Sequence, residues 1–184
     1  MLELAAQALR DSLAVIAAGC AVVFDLRSRR IPNRLSYGTA LAALLLAALH
    51  AADGGAAGWW PIIASSLLGG SALLVLFGAL SMLGLLGFGD TKLLCGIGLC
   101  VGLPLSLRVA VCVLLAGGLV AIVQALAQGR LRAVLCNMLR PRRWRDRAVT
   151  EPQRHLHLFG YAPAIALGTV WAVLGRYVPA VLPL

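Results

Sequence analysis

Long apolar runs separated by short polar segments constrain this chain more than any other feature. Of its 184 residues, 61% are hydrophobic and only 12% are charged, and the mean hydropathy is +0.91. A soluble domain carries about 25% charged residues, whereas a helix that crosses the roughly 30 Å hydrocarbon core needs about 20 apolar residues. The sequence therefore predicts an all-α polytopic membrane protein without a large extramembrane domain.

The apolar runs predict about six transmembrane helices. We expect one membrane-embedded domain over residues 1–184, with a basic cytoplasmic loop at residues 129–155. The predicted spans are residues 4–24, 35–50, 62–86, 93–107, 109–128 and 156–178.

The distribution of basic residues predicts the orientation. The chain has 16 Lys and Arg against seven Asp and Glu, a net charge of +9. With six spans, all basic residues except Arg10, Arg108 and Arg176 fall on one side of the membrane. By the positive-inside rule that side is cytoplasmic, which predicts that both termini are extracytoplasmic.

Nucleic-acid binding and metal chemistry find little support in the sequence. No basic groove with interleaved aromatic residues is visible, so we expect no nucleic-acid partner. The five cysteines lack C-x-x-C spacing, and His155 and His157 have no evident third ligand. The sequence therefore predicts no metal site.

Two aspartates abut apolar runs at the same predicted membrane face. Asp25 ends the first run, and Asp90 follows the third. An ionised carboxylate costs about 2.5 to 3.5 kcal/mol at the centre of a span and less near its ends. Each of these residues is therefore expected to have a partner or a function that offsets this cost. The other acids lie in polar or terminal stretches or, for Asp11, beside Arg10. If the helices bring Asp25 and Asp90 together, the pair shares one proton and can activate water for attack on a peptide carbonyl.

The same residues admit simpler interpretations. Gly87 and Gly89 flank Asp90 closely and lack a Cβ atom, so they can let an extended substrate backbone approach; they can equally form only a turn. An aspartate beside Arg29 or Lys92 can equally form a plain interfacial ion pair. Residue types and spacing leave these alternatives open.

Two segments of the chain resemble the type IV prepilin peptidases. They are Asp25-Leu26-Arg27-Ser28-Arg29-Arg30-Ile31-Pro32-Asn33 and Gly87-Phe88-Gly89-Asp90-Thr91-Lys92-Leu93. In that family, an Asp that leads into a basic turn ending in Ile-Pro-Asn and a second Asp in Gly-x-Gly-Asp-x-Lys form the catalytic dyad. The resemblance implies that Asp25 and Asp90 are catalytic. Residues implied to shape the site or bind substrate are Gly87, Gly89, Lys92, Arg27, Pro32 and Asn33.

A third segment, residues 160–168, is similar to the family's P-Y-G-P-A-L-A-L-G segment, with Gly160 in place of Pro and Ala162 in place of Gly. The resemblance covers residues 12 to 176, but only the first two segments are specific.

The resemblance implies an intramembrane aspartic endopeptidase that removes the leader peptide of type IV prepilins, without metal or other cofactor. It implies a multi-pass protein of the bacterial inner membrane that cuts at the cytoplasmic face. Longer family members carry a methyltransferase domain with paired C-x-x-C motifs between the first two spans, where this chain has only residues 25–34. It is therefore most similar to the short peptidase-only members of tight-adherence (Flp) pilus systems.

Partners besides the prepilin follow from the basic segment. Arg130–Arg147 is expected to contact anionic lipid headgroups through a short amphipathic helix. The simpler alternative is a loop that fixes topology and binds no ligand. A homo-oligomer is compatible with the sequence.

Other functions remain open on the residues alone. Carboxylates in membranes also mark proton relays, so a small proton-coupled transporter is one alternative, although transport sites usually lie near mid-membrane. A presenilin-like protease is another, because Phe24-Asp25 and Gly87-Phe88-Gly89-Asp90 echo that family's motifs. The Ile31-Pro32-Asn33 turn favours the prepilin peptidases. A non-enzymatic assembly subunit is the remaining option.

Overall fold

A computed structural model of the protein describes residues 2–28, 31–53, 55–83, 86–127 and 161–178. Within these ranges the chain forms six helices and no strand, so the predicted all-α class is confirmed. The helices are α1 (Leu2–Ser28), α2 (Asn33–Asp53), α3 (Gly55–Met82), α4 (Phe88–Val101), α5 (Leu105–Ala127) and α6 (Ala162–Tyr177). The predicted amphipathic helix and the basic segment Arg130–Arg147 lie outside the described residues.

Three of the described helices are long and apolar enough to cross a membrane. These segments are Asn33–Ala52, Trp59–Met82 and Leu105–Val123. Helix α4, with 14 residues, and helix α6, with 16, are shorter than the roughly 20 residues of a full span. The protein is thus a helical membrane protein, while the count of six spans and the side of the termini stay predictions.

The ends of α3 and α4 differ from the predicted spans. Helix α3 ends at Met82 rather than near residue 86, and α4 covers Phe88–Val101 rather than residues 93–107. Gly102 ends α4 in a conformation with φ of +66°, which a residue with a side chain rarely adopts. Apolar residues continue on both sides of this turn, so hydropathy alone could not detect it.

Helix α4 lies at the centre of the bundle and contacts α1, α2, α3 and α5. Its residues from Leu93 to Val101 are almost all buried. Glycines allow the closest approach: a Cβ atom on Gly98 would lie 2.5 Å from the carbonyl oxygen of Gly69 on α3. Because no side chain separates these two backbones, α3 and α4 pack in direct backbone contact at this point.

A buried polar cluster joins α1, α3 and α6 near the start of α1. Asp11, only 1% exposed, accepts hydrogen bonds from Arg176 Nη1 at 2.8 Å and from the Tyr177 hydroxyl at 2.9 Å. Arg10, 4% exposed, instead donates to Ser66 Oγ. We call these five residues the distal cluster. The charges of Arg10 and Asp11 act on each other as expected from their adjacency, but the salt-bridge partner of Asp11 is Arg176.

Candidate active site

Asp25 and Asp90 lie at the same end of the helix bundle. Asp25 is in the last turn of α1 and Asp90 is in the first turn of α4, and these two helices pack against each other. Both side chains are partly exposed. Asp25 is close enough for its charge to act on Asp90, and no hydrogen bond joins these two described carboxyl groups directly.

The environment of Asp90 favours its protonated form. Asp90 precedes the apolar run of α4 and lies outside the three membrane-spanning segments given above. Burial and, to a smaller extent, the charge of Asp25 raise the pKa of Asp90 to about 6, against the opposing effect of the Gly87 backbone N–H. The ordinary pKa of an aspartate is about 3.9. Asp90 therefore keeps its proton up to a higher pH than an ordinary aspartate does.

Three consecutive side chains in the first turn of α4 face three different helices. Asp90 lies within the electrostatic range of Asp25 on α1. The hydroxyl oxygens of Thr91 and of Ser81 on α3 are 2.6 Å apart, and Lys92 points to α2. Successive residues of a helix are about 100° apart around its axis, so these side chains leave α4 in different directions. Hydrogen-bonding contacts hold the turn on two sides, at Thr91 and at Lys92. Sequence reasoning missed Thr91 and Ser81, because the family motif leaves the position of Thr91 open.

Lys92 contacts α2 rather than either aspartate. Its Nζ atom lies 3.5 Å from Asn33 Oδ1 and 5.3 Å from the centroid of the Tyr37 ring. Among the residues that the structure describes, the one salt bridge is in the distal cluster. The alternative of a plain ion pair between Lys92 and an aspartate is therefore not what the structure has, and the version with Arg29 lies outside the described residues.

The two glycines of the second motif have different surroundings. A Cβ atom on Gly87 would lie 3.1 Å from Asp90 Oδ2, closer than ordinary contact, whereas one on Gly89 would lie 3.7 Å from Ile31 Cβ. Gly87 thus leaves space for the Asp90 carboxyl group, a role that the sequence did not predict. The expected approach of substrate backbone to these glycines stays a prediction.

The remaining predicted site residues belong to the connection between α1 and α2. Arg27 is exposed in the last turn of α1, Pro32 precedes α2, and Asn33 is its first residue. The Leu35 backbone N–H donates to the Pro32 carbonyl oxygen at 3.0 Å. Of these residues, the structure brings Asn33 to Lys92; binding of substrate by Arg27 or Pro32 stays a prediction.

Tyr161 is a further residue near Asp90. It precedes α6, and its phenol is within the electrostatic range of Asp90. The Tyr161 hydroxyl donates to the Val113 carbonyl oxygen at 3.4 Å, and a Cβ atom on Gly117 would lie 2.6 Å from ring atom Cε2. The signal for this residue was the similarity of residues 160–168 to the family segment, although the sequence reasoning assigned it no role.

Potential metal ligands are dispersed over the part of the chain that the structure describes. No group of three His, Cys, Asp or Glu side chains there could hold a metal ion. Four cysteines of the described helices, Cys20, Cys95, Cys100 and Cys112, are free, and Cys136 lies outside the described ranges. Chemistry without a metal or other cofactor stays a prediction.

The chain matches a known protein family over most of the described helices. Residues 12–124 match the model of the type IV leader peptidase family, a segment that contains both Asp25 and Asp90. No curated protein and no solved structure matches the chain. The resemblance seen in the two aspartate motifs is confirmed, and because the match covers more than half of the chain, this protein is a member of the type IV leader peptidase family.

Proposed function

We propose that the protein is an intramembrane aspartic endopeptidase that removes the leader peptide of type IV prepilins, with Asp25 and Asp90 as its catalytic dyad. Family membership supports the peptidase activity. The observation that carries the aspartic mechanism is positional: α1 and α4 pack against each other and place Asp25 and Asp90 at one end of the bundle. At that end the charge of Asp25 contributes to the raised pKa of Asp90. Such a pair provides a base and an acid at the same time.

The surroundings of the two residues suggest which one is the general acid and which one is the general base. Asp90 has the raised pKa, so it holds the shared proton and donates it to the carbonyl oxygen of the scissile peptide. Ionised Asp25 takes a proton from water as the water oxygen bonds to the carbonyl carbon. When the resulting tetrahedral intermediate collapses, the C–N bond breaks, Asp25 gives its proton to the leaving nitrogen, and the carbonyl oxygen returns its proton to Asp90.

The connection between α1 and α2 supports the short, peptidase-only form. Helix α1 ends at Ser28 and α2 begins at Asn33, and this short connection supports a form without the methyltransferase domain of the longer family members. With the predicted orientation, the Asp25 end of α1 faces the cytoplasm of a bacterial inner membrane. We therefore propose a small Flp-like prepilin as the substrate, cut at that face. Binding of anionic lipid by Arg130–Arg147 stays a prediction.

Co-expression with a small prepilin tests this proposal. The amino-terminal mass of the pilin is measured with the wild-type protein and with Asp25→Asn and Asp90→Asn, after the amount of each variant in the membrane has been checked. Both variants should leave the leader attached. Asp11→Asn on the same helix α1 is the control and should still process the prepilin. Leader removal by both dyad variants would refute the proposal.

The position of the acids also bears on the transporter alternative. Asp25 and Asp90 lie at helix ends, whereas transporters usually bind their coupling ions near the bilayer midplane. The geometry thus favours hydrolysis over proton-coupled transport. Substrate-driven proton uptake by proteoliposomes would favour the transporter instead.

A further inference from the structure

A buried pair of hydroxyl groups connects the first turn of α4 to the last turn of α3. Thr91 is 3% exposed and Ser81 is 5% exposed, and their hydroxyl oxygens are 2.6 Å apart. Thr91 Oγ1 also lies 3.3 Å from the Phe77 carbonyl oxygen. One assignment of protons satisfies both groups: Ser81 donates to Thr91, and Thr91 donates to the Phe77 carbonyl.

This contact matters because α4 has no side-chain cap. The N-cap residue is Gly87, which offers no side-chain hydrogen bond. The first backbone N–H groups of a helix lack backbone partners within the helix, and here the Gly87 N–H acts on the Asp90 carboxyl group itself. Buried contacts with a neighbouring helix add to the order of this turn. Thr91 makes two of them with α3, to the Ser81 hydroxyl and to the Phe77 carbonyl oxygen. The contact of Lys92 with Asn33 is exposed and, at 3.5 Å, long.

Fixing Thr91 also fixes the direction of Asp90. The two residues are adjacent, and their side chains are separated by about 100° around the helix axis. With Thr91 held against α3, Asp90 stays at the bundle end where the charge of Asp25 reaches it. If the first turn rotated or frayed, Asp90 would move away from Asp25 and towards water. A displacement of about 1 Å in a catalytic group can cost about 100-fold in rate.

We propose that Thr91 and Ser81 form a buried hydroxyl pair that positions Asp90 opposite Asp25, which makes Thr91 a positioning residue of the active site. The consequence for catalysis rests on the proposed function of Asp90, but the consequence for the geometry of Asp90 does not. The experiment therefore measures the two separately.

Carbodiimide labelling of the purified full chain in detergent measures the geometry without proteolysis. The reagent reacts with protonated carboxyl groups, and mass spectrometry gives the labelled fraction of Asp90 at each pH. In the wild type the labelling midpoint should be at about pH 6. Thr91→Val keeps the shape and removes the hydroxyl, so the midpoint should fall as Asp90 leaves Asp25 and gains water. Thr91→Ser retains the hydroxyl and should restore the wild-type midpoint.

Ser81→Ala removes the other hydroxyl group of the same contact, the one on α3. It should lower the labelling midpoint in the same direction as Thr91→Val. The shift should be smaller than that of Thr91→Val, because Thr91 keeps its contact with the Phe77 carbonyl oxygen in Ser81→Ala. The double variant should match Thr91→Val, because that change already removes the shared interaction. This second route keeps the test decisive if Thr91→Val folds poorly.

Thr39→Val is the matched control. Thr39 is 5% exposed, so its burial is close to that of Thr91, but its hydroxyl donates to the Leu35 carbonyl of its own helix at 2.8 Å. The same chemical change there should leave the labelling midpoint of Asp90 unchanged.

Prepilin cleavage supplies the second measurement. We expect Thr91→Val to process prepilin about 10- to 100-fold more slowly and Thr91→Ser to recover. If Thr91→Val and Ser81→Ala match the Thr39→Val control in both measurements, the positioning role is overturned. If the labelling midpoints shift as expected but the wild type cleaves no prepilin, the positioning role stands and the proposed function fails.

Discussion

Helix α1 carries two aspartates, Asp11 in its first half and Asp25 in its last turn, and the two have opposite surroundings. Asp11 and Asp25 are separated by about 21 Å along the helix. Asp11 is fully buried and receives hydrogen bonds from Arg176 and Tyr177. The charged group that acts on Asp90 from α1 is Asp25, a second acid rather than a base. A buried carboxylate with cationic partners stabilises a fold, whereas two acids placed together keep a proton available for chemistry.

The largest expected effect is the difference in prepilin processing between substitutions of the two proposed catalytic aspartates and a substitution of Asp11. Asp25→Asn and Asp90→Asn should each slow prepilin processing by about 10²- to 10⁴-fold, the usual contribution of a general acid or base. Asp11→Asn should process at a rate close to that of the wild type when equal amounts of folded protein are compared. The measurement is a time course of leader removal by purified protein. Equal losses at all three positions would end the distinction between a structural and a catalytic acid.

The second prediction concerns stability and pH at the Asp90 end. Its raised pKa means that the folded state loses stability as the pH rises from about 4 to about 6. Asp90→Asn carries no charge to bury, so above pH 6 it should be more stable than the wild type, by at most about 3 kcal/mol. Below pH 4 the two should be alike. Thermal unfolding in detergent across this pH range measures the difference, and a variant less stable than the wild type at pH 7 would contradict it.

At the distal cluster, the same type of substitution should lower the stability of the protein instead of raising it. Asp11→Asn leaves Arg176 without its salt-bridge partner and should cost about 2 kcal/mol. This is below the roughly 3 to 5 kcal/mol for a fully buried pair, because the Arg176 side chain remains 28% exposed. Tyr177→Phe, which removes one hydrogen bond, should cost about 1 kcal/mol. Thermal unfolding at pH 7 is again the measurement. An unchanged Tm for Asp11→Asn would contradict the stabilising role of Asp11.

The smallest expected effect uses the two glycines beside Asp90. Gly87→Ala would place a Cβ atom against the Asp90 carboxyl group, which should slow processing by about tenfold. Gly89→Ala would make only ordinary contact with Ile31, so its folded geometry should be retained. Rates measured side by side test this ranking. A Gly89→Ala variant that is slower than Gly87→Ala would indicate that substrate, rather than Asp90, occupies the space beside these residues.

Hydropathy predicted the existence of the helices better than their ends. The spans expected at residues 35–50 and 109–128 correspond to α2 (Asn33–Asp53) and α5 (Leu105–Ala127). The fourth span was displaced, because the turn at Gly102 lies within a continuous apolar stretch. Hydropathy averaged over a stretch of residues contains no information on the φ angle of a single glycine, so it could not locate this helix end.

The sequence was less informative about which side chains meet. The motifs led to Asp25 and Asp90, but adjacency suggested that Arg10 accounts for the charge of Asp11. Neighbouring residues in a helix do not face each other, so Arg10 reaches Ser66 on α3 while Asp11 reaches α6. The contact of Thr91 with α3 depends on the rotation of α4 in the bundle, which residue types alone do not determine.

The brevity of α4 has a consequence for how the protein fits its membrane. With 14 residues, the helix is about 21 Å long, whereas the hydrocarbon layer is about 30 Å thick. A helix of this length exposed to lipid would thin the bilayer around it. Helix α4 instead packs against α1, α2, α3 and α5, and three of these neighbours contain segments long enough to cross the membrane. The difference in length is therefore taken up inside the protein, and accommodating α4 requires no deformation of the lipid.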